Sequence, residues 1–383
     1  MPKALFISAN YWTTPFQVGT HHIAKGLAKK GWDIAFISEP VSPLHKLKYK
    51  DTHIQKRFRI HKDNGGEDLK GKITYYVPFT FLPYYNLFPF NIRYNIFNWY
   101  KFTFPSIIKF LDHIDFKKVD LLYFDTIRQP FWLKVINYGT SVFRIPDFIG
   151  GYSSYSNALR ISEEYLIKNV DKVLYTAKSL EDHIKNYRSE NIHYLPNGVD
   201  VELFSNSQDY LPEELNNIPA PRIIYIGETE KRFDHDLLIE VAKKCSNISF
   251  IIIGDIPERL KDYSTIDNVY FLGKRSYNSL PAYLKNCNAG IIPYDVSNKK
   301  KLIDHINPLK MYQYFAAGLP VLAPEWKELK LLNPPVSIYR DTNDLVQLLN
   351  KLNLNDIKSD VYKEYASQFD WGKIIDKFIE IIN

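Results

Sequence analysis

The chain has 383 residues, 45% of them hydrophobic and 24% charged, with a formal net charge of +6. That length exceeds one typical domain and predicts two, each able to bury its own core, while the balanced composition excludes a disordered or fibrous chain. The positive balance suits an anionic ligand or an anionic surface without choosing between them.

No run approaches the roughly eighteen apolar residues of a membrane-spanning helix. Cys245 and Cys287 are the only cysteines and show neither a pairing pattern nor metal-ligand spacing, so a reducing compartment without disulfides is expected. The start, Met1-Pro2-Lys3 and then Ala4 to Ser8, reads as a strand rather than a secretory leader, which predicts a cytosolic protein or one lying on a membrane from the cytosolic side.

Strand Ala4 to Ser8 leads through a polar aromatic loop, Asn10 to Gln17, into a helix over Ile23 to Lys30 that stops at Gly31, and strand Asp33 to Ile37 follows. This βαβ start lacks G-x-G-x-x-G, which disfavours a nicotinamide or flavin cofactor. A loop at the carboxyl end of a parallel strand is where ligands enter, so Trp12, Gly19 and His21 are site candidates, against the plainer reading of His21 as a cap or surface residue.

Residues 41 to 72 carry nine Lys or Arg against four acids, and residues 75 to 104 hold fourteen aromatics with only Arg93 and Lys101 charged. A basic run followed by an aromatic one predicts a surface that meets anionic headgroups and the bilayer interface, or else a partly buried region with a solvated loop. Nucleic acid is disfavoured because the two residue classes are segregated rather than interleaved.

Strands Val119 to Phe124 and Ser141 to Ile145 each end in a carboxylate, Asp125 and Asp147, with a helix over Pro130 to Tyr138 between them. Asp147 follows Pro146 and precedes Gly150-Gly151, so it is the better candidate for a base that takes a proton from a hydroxyl; a helix cap is the alternative.

In the second half, residues 304 to 321 predict a loop, a helix opening near Pro308, a stop at Gly318 and a buried strand. The N–H groups of Leu309, Lys310 and Met311 together with the Lys310 ammonium would form an anion pocket, and the Gln313 amide would reach a hydroxyl-bearing group attached to that anion. Asp234-His235-Asp236 spells a metal-type Asp-x-Asp but sits where a helix starts, so it reads as a cap. Lys299-Lys300-Lys301 reads either as a phosphate contact or as a solvated loop.

The run Tyr194-Leu195-Pro196-Asn197-Gly198-Val199-Asp200 with Phe204 resembles the segment closing the N-terminal domain of glycosyltransferases of the GT-B fold. Arg222 to Gly227, Lys231-Arg232-Phe233-Asp234, Phe250 to Gly254, Val269 to Gly273, Ala289 to Tyr294 and residues 304 to 321 resemble, in order, the donor-binding domain of that superfamily. Pro308 to Tyr314 and Asp147 look most like the xanthan glucuronosyltransferase group and related polysaccharide-assembly enzymes.

The resemblance implies an α/β chain of two Rossmann-like doubly wound domains facing across a cleft. These are an acceptor-binding domain over 1–204, a linker over 205–220, a nucleotide-sugar domain over 221–362 and a helix over 363–383 that crosses back. It implies inverting, metal-independent transfer without a cofactor, from a UDP-sugar to a lipid-linked or polysaccharide acceptor in exopolysaccharide or capsule synthesis, at the inner face of the plasma membrane. Asp147 would be the base; Trp12, Gly19 and His21 would meet the acceptor. Gly227, Lys231, Arg232, Gly273, Arg275, His305, Asn307, Leu309, Lys310, Met311 and Gln313 would meet the donor.

The common retaining members carry two glutamates where this chain has His305 and Gln313, which argues against that group and mildly favours a uronic acid donor. A retaining enzyme, a UDP-sugar epimerase and a non-catalytic binding subunit are the alternatives.

Overall fold

The computed structural model describes residues 1–14, 17–48, 51–85, 88–152, 154–205, 210–256, 262–263, 265–351 and 359–383. Parts of the Asn10 to Gln17 loop, of the basic and aromatic runs and of the 205–220 linker lie outside the described residues.

The first unit comprises residues 1–176, 180–195 and 375–383. Its strands are β1 (Lys3–Ser8), β2 (Asp33–Ser38), β3 (Gly66–Asp68), β4 (Ile73–Tyr76), β5 (Lys118–Phe124), β6 (Asn137–Ile145), β7 (Lys172–Tyr175) and β8 (Ile192–Tyr194). They form one sheet in the order β3-β4-β2-β1-β5-β6-β7-β8, parallel except for the β3/β4 pair. Ala4, Leu5, Phe6 and Ile7 are all fully buried, as a strand covered on both faces requires. The order reverses direction between β1 and β5, which puts the topological switch point of this sheet at the ends of those two strands. Helices α1 (Gly19–Lys29) and α2 (Thr52–Lys62) follow β1 and β2.

The second unit comprises residues 177–179 and 196–374. Its strands β9 (Arg222–Gly227), β10 (Ser249–Gly254), β11 (Val269–Phe271), β12 (Ala289–Ile291), β13 (Val321–Pro324) and β14 (Ser337–Tyr339) are all parallel, in the order β11-β10-β9-β12-β13-β14. The switch point here falls between β9 and β12.

Three boundaries differ from the sequence expectation. The second unit begins at Pro196 rather than after Phe204, because Val199 and Phe204 are buried in its core. The C-terminal segment is two helices, Ser359–Ser367 and Trp371–Ile382, divided at Asp370. The chain there pairs with Val199, and the Asp370 carboxylate accepts the Gly372 N–H at 2.8 Å, which restarts the helix. Only residues 375–383 belong to the first unit, where a Cβ on Gly26 would lie 2.0 Å from Ile375. Finally, β6 starts at Asn137, so the helix expected over Pro130 to Tyr138 shrinks to Trp132–Val135.

Candidate functional site

In the second unit, strand β9 ends at Gly227 with φ +146°, a conformation that L side chains rarely adopt. Gly254 ends the neighbouring β10, and a Cβ there would stand 1.9 Å from the Gly227 carbonyl oxygen. The Lys310 stem crosses directly over Gly227: an added Cβ would be 2.3 Å from its Cε and 2.8 Å from its Nζ. The ammonium lies 5.3 Å from the Tyr225 ring centroid and 5.5 Å from that of Tyr294, with the Tyr294 hydroxyl at 3.4 Å. Among the described residues no carboxylate pairs with it. Lys310 is therefore a positive charge held against two ring faces at the end of β9. Arg232 adds to the same positive field, acting on the buried Tyr225 phenol, which burial raises well above its usual range.

The helix behind Lys310 spans Leu309–Ala316, and Pro308 is its cap rather than its first residue. This corrects the expected cluster of three free donors. The Leu309 N–H bonds the Asn307 carbonyl at 3.1 Å and the Met311 N–H bonds that of Pro308 at 3.0 Å, leaving the Lys310 N–H as the donor with no acceptor among the described residues. The Met311 side chain is fully buried core. Asn307 is also corrected: it is 4% exposed, its Oδ1 accepts the Asn197 N–H at 3.1 Å and its Nδ2 donates to Tyr312 at 3.0 Å. It ties the Pro196-Asn197-Gly198 turn to the helix start.

Arg275 is likewise occupied, donating to the Tyr283 hydroxyl and to Glu214, both at 2.8 Å, while Gly273 at φ +72° makes the turn before it. Lys231 is largely exposed, 3.7 Å from Glu228. Half-buried Gln313 bonds the Tyr277 phenol, and His305 is half-buried in the turn before Asn307. Asp234 caps the helix His235–Lys244 by accepting the Leu237 N–H at 2.9 Å, and Lys300 pairs with Asp304 at 3.0 Å.

In the first unit, the two strand-end carboxylates have different surroundings. Asp125 is 9% exposed and accepts from the Ser8 hydroxyl at 3.0 Å, the Ala9 N–H at 2.9 Å and the Thr20 hydroxyl. Burial pushes its carboxyl up and those bonds oppose the shift. Asp147 lies half-buried just beyond β6, one oxygen accepting the Phe148 N–H at 2.9 Å and the other the Tyr152 hydroxyl at 3.2 Å. Its own loop fixes the carboxylate while leaving it partly accessible.

The other candidates of this unit are core. Trp12 is 4% exposed and donates its indole N–H to Asp68 at 2.9 Å. His21 is fully buried, its Nδ1 accepting the Val18 N–H at 3.3 Å and its Nε2 3.2 Å from the Tyr11 carbonyl, so it caps α1; burial lowers it to about 4 and keeps it neutral. Gly19 packs against the buried Arg144, whose two terminal nitrogens would stand 2.8 Å from an added Cβ, so a larger residue here would have to displace that guanidinium.

Beside α2, Lys46, Arg59, His61, Lys62, Phe58 and Phe104 line much of an open groove of about 1020 Å³. Phe81, Phe88 and Phe104 are exposed to solvent nearby in the sequence. Among the described residues no helix is long and apolar enough to cross a membrane.

Residues 6–176 match the family described as glucuronosyltransferase GumK, N-terminal domain, and residues 220–347 match glycosyl transferases group 1. TuaH of Bacillus subtilis (strain 168), named for teichuronic acid biosynthesis as a glycosyltransferase, is 25% identical over 185 residues, covering 47% of this chain and 43% of its own. An uncharacterized glycosyltransferase of Methanocaldococcus jannaschii is 22% identical over 230 residues, covering 55% and 59%. The chain thus spans about half the length of the curated relatives it matches. Among solved structures, Anabaena HepE bound to UDP and glucose aligns with a TM-score of 0.68 at 13% identity over 99% of both chains. Sucrose-phosphate synthase of Thermosynechococcus elongatus aligns at 0.68 and 15% over 100% and 98%.

Proposed function

We propose that this chain, which has the GT-B fold and resembles glycosyltransferases in both halves, moves a sugar from a UDP-sugar to a glycan or lipid-linked acceptor in cell-surface polysaccharide synthesis. The observation that carries the reading is the Lys310 ammonium over Gly227, without a carboxylate partner among the described residues, at the switch point of the second unit. Glycosyl transfer leaves a diphosphate whose charge grows in the transition state. Lys310, its own N–H and the field of Arg232 answer that charge, so the reading calls for no metal. HepE, of the same fold, has been crystallised with UDP-glucose, which supports a UDP-sugar as the donor class. The match to a glucuronosyltransferase family over the first unit supports a uronic acid as the sugar.

Asp147 takes the proton of the acceptor hydroxyl, and a base acting on an incoming nucleophile implies inversion at the anomeric carbon. The basic groove beside α2, with exposed phenylalanines near it in sequence, supports peripheral attachment to an anionic membrane, for which the inner face of the plasma membrane is the proposed location. The test is a transfer assay with a panel of UDP-sugars, UDP-glucuronate included, and a lipid-linked acceptor. Wild-type transfer by Asp147→Asn would refute the mechanism, and turnover of nucleotide sugar without any acceptor would point to an epimerase instead.

A further inference from the structure

At the carboxyl edge of the first unit's sheet, two guanidinium groups stand with donors to spare. Glu39 follows β2, and Thr126 and Arg128 follow β5; since both strands pair in parallel with β1, these residues emerge on the same edge. Glu39 is already engaged, one carboxylate oxygen accepting the Thr126 hydroxyl at 2.9 Å and the other Arg128 Nη1 at 3.0 Å. Arg57, on α2, gives Nη2 to the backbone carbonyls of Glu39 at 2.6 Å and Pro40 at 3.1 Å. Among the described residues no carboxylate lies within ion-pair distance of Arg57, and Nε and Nη1 of Arg57, like Nε and Nη2 of Arg128, meet no acceptor.

The surroundings are built to hold these groups still. Arg128 lies 5.7 Å from the Tyr84 ring centroid, and His45 meets the Tyr85 ring edge-on at 5.9 Å. Burial is the main influence on Arg57 and lowers it; Glu39 opposes, Arg128 adds to the lowering, and Asp51 is the weakest of the charges facing it. One carboxylate for two guanidinium groups leaves a local excess of positive charge. Between them lies a cavity of about 350 Å³ lined by Glu39, His45, Arg57, Tyr84, Tyr85 and Arg128 among others. That is within the size range of small-ligand sites.

We propose that this cavity binds a phosphoryl group carried by the acceptor, as a second anion site independent of Lys310; the proposal rests on the transferase reading. Two guanidinium groups from different elements offer more N–H donors than one planar carboxylate accepts, whereas a phosphoryl group presents three acceptor oxygens and up to two charges. The aromatic walls suit the sugar or carrier attached to it.

The experiment saturates the full chain with UDP, so that the second-unit site is filled, and then titrates inorganic pyrophosphate by calorimetry. One equivalent is expected to bind. Arg57→Gln and, separately, Arg128→Gln should each weaken it by about tenfold or more, Arg57→Lys by less, with UDP affinity unchanged. Near-UV circular dichroism and thermal unfolding identify any variant that has lost its fold, and the other variants then decide. Geranyl diphosphate binding tighter than pyrophosphate supports the site and assigns the phosphoryl group to a lipid carrier; equal binding supports it and assigns a soluble ester.

Pyrophosphate binding that is absent, that is unchanged in the folded variants, or that is outdone by sodium glucuronate overturns the proposal. If pyrophosphate binds through Arg57 but no UDP-sugar is ever turned over, the transferase reading fails and the anion site stands. The reverse pattern fails the anion site alone.

Discussion

Replacing Lys310 by Met tests the second-unit site most directly. The substitution removes the ammonium but keeps an unbranched stem to cross Gly227 and lie between Tyr225 and Tyr294, so the fold around it is preserved. What disappears is one charge-assisted contact to a diphosphate, worth about 1.5–3 kcal/mol. At about 1.4 kcal/mol per factor of ten, UDP should bind about ten- to 150-fold more weakly. The two ring contacts, about 0.5–1 kcal/mol each, are lost from the free protein as well and lower stability rather than affinity. Turnover should fall further than ground-state binding, by about 10²–10³, because the leaving diphosphate gains charge in the transition state. Calorimetry with UDP and initial rates with the active UDP-sugar measure the two effects separately. A UDP affinity within about twofold of wild type would refute the assignment of Lys310 to the diphosphate.

Gly254→Ala forces a Cβ against the Gly227 carbonyl and should lower stability by about 1–3 kcal/mol, read as a fall in melting temperature. Arg275→Ala should cost about 1 kcal/mol or less of stability and leave UDP affinity unchanged, since its donors serve Tyr283 and Glu214; a loss of UDP binding would return it to the donor site. His21 protonates near pH 6.5 in the unfolded chain but only near 4 in the folded one. Its contribution is therefore fully present above 6.5 and is lost as the pH falls toward 4, by up to about 3 kcal/mol. Urea midpoints at pH 7 and 4.5 should converge in His21→Gln relative to wild type.

The central strands were legible because each is a short apolar run closed by a small or polar residue, whereas β3, a Gly-Glu-Asp segment with no such run, and the short β4 and β14 were not anticipated. Lys310 stood out as a lysine at a helix start, and the structure places its side chain over Gly227 between Tyr225 and Tyr294. What the sequence hid were partners far away along the chain. Trp12 looks like a loop aromatic until Asp68 is found at its indole, and Gly19 looks like a ligand glycine until Arg144 is found beneath it. Asn307 and Arg275 failed in the same way, as polar residues beside a site whose hydrogen bonds go to Asn197, Tyr312, Tyr283 and Glu214. Arg57 was counted only as part of a basic run and Arg128 was not singled out, since nothing local distinguishes Arg57, which aims at the strand ends, from exposed Arg59. The boundary at Phe204 was misplaced because a buried phenylalanine does not announce which core it enters.

The pair of rings around Lys310 has a spectroscopic consequence. Methylene protons held near aromatic faces resonate upfield of their usual positions, so lysine labelled at Cε gives Lys310 a signal set apart from the many solvent-exposed lysines. A diphosphate that draws the ammonium away from Tyr225 and Tyr294 would return that signal toward the crowd. The side chain thereby reports its own occupancy, and donor binding can be followed without a probe attached to either partner.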